Sequence, residues 1–232
     1  MQALIDDKLD RLLHDDLKLL SRNAKLLKTD AYGYYVVGLN MSPANEHIPY
    51  GGRVTSCAWA SPGCSAGCLK FAGMNNMTTH LATRVAKTLF LERYPVEFHA
   101  KLDAELRREE FRASRRGMRL AGRMNLLTDR TKMANAVAIR HPGIQFNDYS
   151  ASPVALPGPV NMYRTYSRKE TWEHLAVRTL IEAKKNVAVV FDVKRHDALP
   201  TEYRGIEVID GDLHDARWTD PAGVIVGLRL KG

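Results

Sequence analysis

Residues 187–193, with Val187, Val189, Val190 and Phe191 in near-continuous apolar succession, constrain the fold more than any other stretch of this chain. They read as a strand that is apolar on both faces, as a parallel sheet covered on both sides requires. Six further runs have strand character: 34–39, 118–122, 144–149, 161–166, 206–209 and 224–228. Segments with helical periodicity alternate with them: residues 78–93 with Thr78 as the expected cap, 95–115 with Pro95 in the first turn, and 171–184. Ahead of the first strand, Ile5, Leu9, Leu12, Leu13, Leu17, Leu20, Ala24 and Leu27 recur at three- and four-residue steps, which predicts one amphipathic helix over 4–27. Strands alternating with helices predict an α/β fold around a parallel sheet. Its simplest closure is TIM-barrel-like: a partial or complete parallel β/α barrel with an N-terminal helix. The 232 residues suit a single domain, 1–232, with residues 1–30 packing on the barrel and 41–76 forming a long loop. Phe90, Phe98 and Trp172 are expected in the core.

All three cysteines, Cys57, Cys64 and Cys68, fall within twelve residues of that loop. A loop of such length is usually functional. It follows the first strand directly, which places it at the carboxyl ends of the strands, where β/α barrels carry their sites. The spacing is Cys-x6-Cys-x3-Cys, with no Cys-x-x-Cys pair and no fourth cysteine. Zinc sites favour closer pairs and a fourth protein ligand. A [4Fe–4S] cluster is larger and accepts wider spacing; its usual complement is four thiolates, so three leave one iron open. We rank a [4Fe–4S] cluster first, zinc second and simple buried cysteines third, since free cysteine is often buried for packing alone. Pro62, Gly63 and Gly67 indicate a tight turn around the thiols. His47 is an available fourth ligand, although a lone loop histidine is more often a surface residue.

The odd cysteine count argues against a disulfide framework and fits a reducing compartment. No apolar run reaches the ~20 residues that span a bilayer, and the acidic start of the chain lacks a signal-peptide pattern, so a cytoplasmic protein without a membrane partner is expected. The net charge is +8, and much of it lies in Arg107, Arg108, Arg112, Arg115, Arg116, Arg119 and Arg123. Such a stripe can bind nucleic acid. The interleaved Glu105, Glu109 and Glu110 favour a solvated helix face instead, with a small molecule as the expected partner. Oligomeric state is not encoded in any motif.

A [4Fe–4S] loop after the first barrel strand resembles the radical-SAM enzymes, although their usual Cys-x3-Cys-x2-Cys spacing differs from the one here. A closer likeness lies in residues 39–44, the cysteine loop 60–68, residues 144–149 and 187–191, and above all residues 208–221. In these segments the chain resembles a family of small proteins of tailed bacteriophages described as gene-product-88-like. The resemblance implies a three-cysteine iron–sulfur protein with a TIM-barrel-like fold, hydrolysis of an ester-type bond, and the cytoplasm of an infected bacterial host.

Asp210, Asp212, His214 and Asp215 crowd into six residues after a strand. Carboxylates beside a histidine can tune one another for proton transfer, and an Asx-rich turn accounts for the same residues structurally. His214 is the expected general acid or base, and Tyr149 an oxyanion donor. Asn40, Asn125, Asp148 and Lys194 follow strand ends and are candidate contacts to substrate or to the metal's ligands. Arg164 and Arg217 can hold a carboxylate or phosphate with two parallel bonds. The leading expectation is an iron–sulfur-dependent hydrolase with the open iron as Lewis acid. A radical-SAM-like enzyme and a non-catalytic iron–sulfur or zinc protein that binds nucleic acid are the alternatives.

Overall fold

The computed structural model describes residues 1–44, 46–48, 52–54, 56–152, 157–171 and 174–231, and only the backbone of 47, 48, 52–54 and 174–176. Strands are β1 (Leu20–Ser21), β2 (Tyr34–Leu39), β3 (Glu46–Ile48), β4 (Gly52–Val54), β5 (Arg119–Arg123), β6 (Gln145–Ser150), β7 (Met162–Ser167), β8 (Val187–Phe191), β9 (Glu202–Tyr203), β10 (Ile206–Asp210) and β11 (Ile225–Arg229). Helices are α1 (Gln2–Leu13), α2 (Ala24–Leu27), α3 (Pro62–Ala66), α4 (Thr78–Arg93), α5 (Pro95–Ser114), α6 (Thr131–Arg140) and α7 (His174–Glu182).

One nine-stranded sheet has the order β1-β2-β5-β6-β7-β8-β11-β10-β9. Every strand expected from the sequence is present, and those strands pair in parallel. The edge strands β1 and β9 pair antiparallel to β2 and β10. The sheet is therefore open, not a closed barrel. The last strand in the chain, β11, enters between β8 and β10. That insertion leaves β10 outside the sequential run and β9 as an edge.

Helices α1, α4, α5, α6 and α7 lie on one face. The main core joins α1, α4, α5 and α6 to Tyr35, Val37, Leu120, Phe146 and Met162 of the strands. Val177 and Leu180 of α7 extend the same layer over Tyr166, Val187, Val189 and Ile225. Alternation along each strand turns Val36, Ala121, Arg123, Asn147, Tyr149 and Thr165 to the opposite, inner face. At Gly122 a Cβ would stand 2.5 Å from the Phe146 ring, so only glycine lets that ring close over β5. Two chain segments cover the inner face: α2 with the turn Lys28–Tyr32, and residues 211–221. Leu26, Val36 and Ala121 pack there with Tyr34, Leu126 and Trp218.

Several expectations change. The single helix over 4–27 is α1, a break and α2. Asp15 adopts φ 64° after α1, and Leu20–Ser21 then joins the sheet edge. A buried carboxylate draws it there: Glu105 accepts from Leu19 N and Leu20 N at 2.8 Å each, and Lys87 Nζ donates to Leu19 O at 2.7 Å. Two buried N–H groups left unpaired would cost about 1–3 kcal/mol each, which explains why an acid sits in this core. Met77, not Thr78, is the N-cap of α4. The 41–76 loop contains a hairpin, β3–β4, and the short α3. Helix α6 was not expected. Its apolar residues are few, and Ala134, Val137 and Ala138 alone supply its buried stripe. Strand β8 ends at Phe191, and Val190 is 57% exposed, so this strand is not covered on both faces along its length. Phe90 and Phe98 are buried as expected. Trp172 and the side chain of His47 lie outside the described residues.

Candidate functional site

The cysteine loop lies across the carboxyl ends of β5 and β7, held at two points. The first is the turn after β5. Asn125 Oδ1 accepts from Thr128 Oγ1 (2.7 Å) and Arg130 N (3.0 Å), and its Nδ2 donates to Asp148 Oδ2 (2.6 Å). The turn so fixed grips the loop: Asp129 N donates to Ser56 O (2.9 Å), Arg130 Nε donates to Ser56 Oγ (3.0 Å), and Cys57 Sγ lies 3.6 Å from Leu127 O. Asp148 thus supports Cys57 through Asn125. Burial pushes the Asp148 carboxyl up to about 7, and the Asn125 amide and nearby Arg164 and Arg123 only partly offset it.

The second point is the segment after β7. Ser61 caps α3 by accepting from Cys64 N (3.2 Å) and donates its own proton to Glu170 Oε2 (2.6 Å). Glu170 Oε1 accepts from Gly63 N (2.7 Å). A Cβ at Gly63 would stand 2.9 Å from that carboxylate, so glycine permits the approach. Lys169 Nζ donates to Cys64 Sγ and to Ser167 Oγ, both at 3.2 Å. Neither Lys169 nor Glu170 belongs to a recognisable motif, and sequence reasoning missed both.

Each of the three thiols is partly buried, and none is disulfide-bonded. Burial pushes Cys57 up to about 11 against the pull of a backbone hydrogen bond, and Asp129, Cys64 and Cys68 add to the rise. Burial also raises Cys68, and Cys64 lies close enough to contribute. Among the described residues, no three His, Cys, Asp or Glu side chains converge tightly enough to hold a single ion.

The inner face of the sheet rises toward this loop as a polar wall. On β7, the side chains of Tyr163, Thr165 and Ser167 climb in alternation to Lys169 and Cys64. The register sets Asn147 beside Tyr163 and Tyr149 beside Thr165. Among the described residues, both amide atoms of Asn147, Thr165 Oγ1 and Tyr149 Oη are buried without a hydrogen-bond partner. Buried polar groups are normally paired, and each orphan costs about 1–3 kcal/mol.

Below the wall lies a charged cluster that the sequence did not reveal as one. Asp215 is fully buried, pairs with Arg123 Nη1 (2.9 Å) and Lys25 Nζ (3.4 Å), and its backbone N donates to Thr29 Oγ1 (3.0 Å). Burial alone would raise its pKa, but Arg123, Lys25 and Arg217 outweigh burial and hold it near about 2. Arg123 and Lys25 also face the Tyr149 ring, at 4.6 and 5.6 Å. Arg217 is fully buried, with Nη1 3.1 Å from Asp220 Oδ2.

His214 belongs to the same cluster. Its Nδ1 accepts from Ala216 N (3.2 Å) and lies 3.0 Å from Arg217 Nη2, and its ring packs against Tyr32 with centroids 4.2 Å apart and planes tilted by 44°. Burial, followed by the Arg217 charge, pushes it down to about 4. The imidazole is neutral at pH 7 with its proton on Nε2, so the lone pair a base needs is already engaged. Asp210 and Asp212 engage Arg229 instead. Asp210 takes both Arg229 Nη atoms at 2.9 Å, and Asp212 accepts from Arg229 N (3.0 Å) and pairs with Lys231 (3.3 Å). Arg164 donates to Asn135 Oδ1 (2.7 Å). Asn40 Oδ1 is buried at the end of β2, and Lys194 is exposed with its backbone N bonded to Asp197. The structure thus gathers Asn125 and Asp148 behind Cys57, gathers Tyr149, His214, Asp215 and Arg217 on the inner face with Asp212 at the margin near Lys25 and Lys28, and leaves Asp210 with Arg229 and Lys194 exposed to solvent. Among the described residues, no helix is long and apolar enough to cross a membrane.

A family model described as gene product 88 aligns with residues 17–232. No curated protein matches, and neither does any solved structure.

Proposed function

This chain belongs to the gene product 88 family, and we propose that Cys57, Cys64 and Cys68 hold a [4Fe–4S] cluster with which it acts as an enzyme on a polar small molecule. The observation that carries the reading is the fastening of one loop, with all three thiols, over the polar inner face of a parallel sheet. Three thiols on one fastened loop, without a Cys-x-x-Cys pair or a fourth cysteine, suit a multi-iron cluster better than a lone zinc, which favours closer pairs and a fourth protein ligand. Such a cluster, held by three thiolates, would supply one open iron as a Lewis acid. Hydrolysis of an ester-type bond is the first reading: water oxygen bonds to the acyl or phosphoryl centre, the ester bond breaks, and the alcohol leaves with a proton.

The chain's own groups have definite parts in this reading. Asn147, Thr165 and Tyr149 carry unpartnered donors and acceptors for the substrate. Lys169, between Cys64 and Ser167, is a cation at the boundary of loop and sheet and offers a proton to the leaving oxygen. This role passes to Lys169 because His214 has its Nδ1 engaged. Glu170 and Asn125 are positioning residues for Cys64 and Cys57. The setting would be the cytoplasm of an infected bacterial host.

The test is an anaerobic assay of the cluster-loaded protein on chromogenic carboxylate and phosphate esters. Turnover that falls at least about a hundredfold in Cys64→Ala is expected; undiminished turnover in that variant would contradict the reading. A second reading, radical chemistry on adenosylmethionine, is favoured by one observation: β2, β5, β6, β7, β8 and β11 are neighbours in chain order, with the cysteine loop after the first. Release of 5′-deoxyadenosine from reduced protein would replace hydrolysis with it.

A further inference from the structure

The arginine stripe of α5 looks neutralised in the sequence, and the structure removes that neutralisation. Glu105 is buried on Leu19 N and Leu20 N, and Glu109 is buried beneath Tyr35, whose hydroxyl donates to it at 3.1 Å. Of the interleaved acids only Glu110 reaches solvent. Arg107, Arg108, Arg112, Arg115 and Arg116 are all exposed, whereas Arg119, the first residue of β5, lies over the Tyr34 ring on the inner face and is no part of this field. Arg112 pairs with Glu109, and Arg108 lies 3.5 Å from Asp15. Among the described residues, no carboxylate pairs with Arg107, Arg115 or Arg116.

In the middle of this field stands Phe111, 65% exposed on a helix whose other large apolar residues are mostly buried. Ala104, Arg107, Arg108, Phe111, Arg112 and Arg115 follow one another at three- and four-residue steps and so form a single solvent-facing stripe along α5. A core has no use for a phenylalanine here, and solubility would favour a polar residue. Cations that track a phosphate chain, with an aromatic face between them for a base to stack on, form the usual arrangement for single-stranded nucleic acid. Aromatic stacking separates this from a duplex surface, where phosphate contacts alone would serve.

We infer that the exposed face of α5 binds single-stranded nucleic acid, with the arginines on phosphates and Phe111 stacked on a base. The face lies on the helical side of the sheet, opposite the polar wall beneath the cysteines, so this inference stands independently of the metal reading.

The experiment is fluorescence anisotropy with a labelled oligothymidylate of about 20 nucleotides, using the whole 232-residue chain as purified. If about four phosphates are neutralised, affinity falls roughly 50-fold between about 50 and 200 mM salt, from a slope near −0.7 per contact. Phe111→Ala should weaken binding at least about fivefold at fixed salt and leave the salt slope unchanged. Arg107→Ser with Arg115→Ser should weaken it and flatten the slope. Arg178→Ser on α7 should do neither, and both sets are surface changes that leave the circular dichroism unaltered. Three outcomes would overturn the inference: no binding at 50 mM salt, tighter binding of a duplex of equal length with no effect of Phe111→Ala, or binding of phosphatidylglycerol vesicles without binding of the oligonucleotide.

Discussion

Alanine in place of Cys57, Cys64 or Cys68 should each reduce bound iron from about four atoms per chain to fewer than about one, while the sheet remains folded. The two halves of that expectation have separate physical grounds. A cluster held by three thiolates has no spare protein ligand, so loss of one leaves two anchors. Among the described residues no other cysteine is present, and the carboxylates nearest the thiols are already engaged: Glu170 by Ser61 and Gly63, Glu46 by Arg84, and Asp129 through Oδ2 by Ala151 N. The sheet survives because its core is built elsewhere. No cysteine belongs to any buried apolar cluster, and α3, which carries Cys64, has no buried residue. Visible absorption from iron–sulfur charge transfer should disappear in each variant while far-ultraviolet circular dichroism is retained. Retention of full iron in any one of the variants would exclude that cysteine as a ligand.

Asp215→Asn should lower the stability of the fold by about 3–5 kcal/mol, the usual cost of breaking a buried ion pair by removing one partner. Asparagine keeps the shape but leaves Arg123 and Lys25 buried against a neutral amide. Arg123 cannot escape by losing its proton. Lys25 can, because burial already lowers its pKa. The same carboxylate gives a pH signature. Its folded pKa of about 2 lies below the ordinary 3.8, a depression worth about 2 kcal/mol. A depressed carboxylate contributes its full stability above the unfolded pKa and loses it as pH falls through the folded one. Urea midpoints of the native protein should therefore drop between about pH 4 and pH 2, and Asp215→Asn should lack this component. Equal stability of the two proteins at pH 7 would show that the pair is not formed.

The parallel strands were readable because Val, Ile, Tyr and Phe crowd into short runs that a half-buried or buried strand demands. What joins them was less readable. The apparent constellation of Asp210, Asp212, His214 and Asp215 is a stretch of adjacent residues that the chain divides. Arg229 on the neighbouring strand claims the first two acids, and the chain then crosses the inner face and delivers His214 and Asp215 to Lys25, Arg123 and Tyr32. Those partners lie about 90 to 190 residues away in sequence, and single-sequence periodicity carries no information at such separations. A partial or complete barrel is likewise an extrapolation from strand count; only pairing shows an open sheet in which β11 inserts ahead of β10. In α5 the sequence displayed alternating charge, and the burial of Glu105 and Glu109 that unmasks the arginines depends on the tertiary fold. The cysteine loop, by contrast, was placed correctly at the carboxyl ends of the strands, because it follows β2 directly and β/α topology does the rest.

The measurement that tests the central claim most directly is anaerobic purification of the native chain followed by iron, acid-labile sulfide and zinc analysis. About four irons and four sulfides per chain, with negligible zinc, is the predicted result. About one zinc with no sulfide, or no metal at all after reconstitution with iron and sulfide, would contradict it.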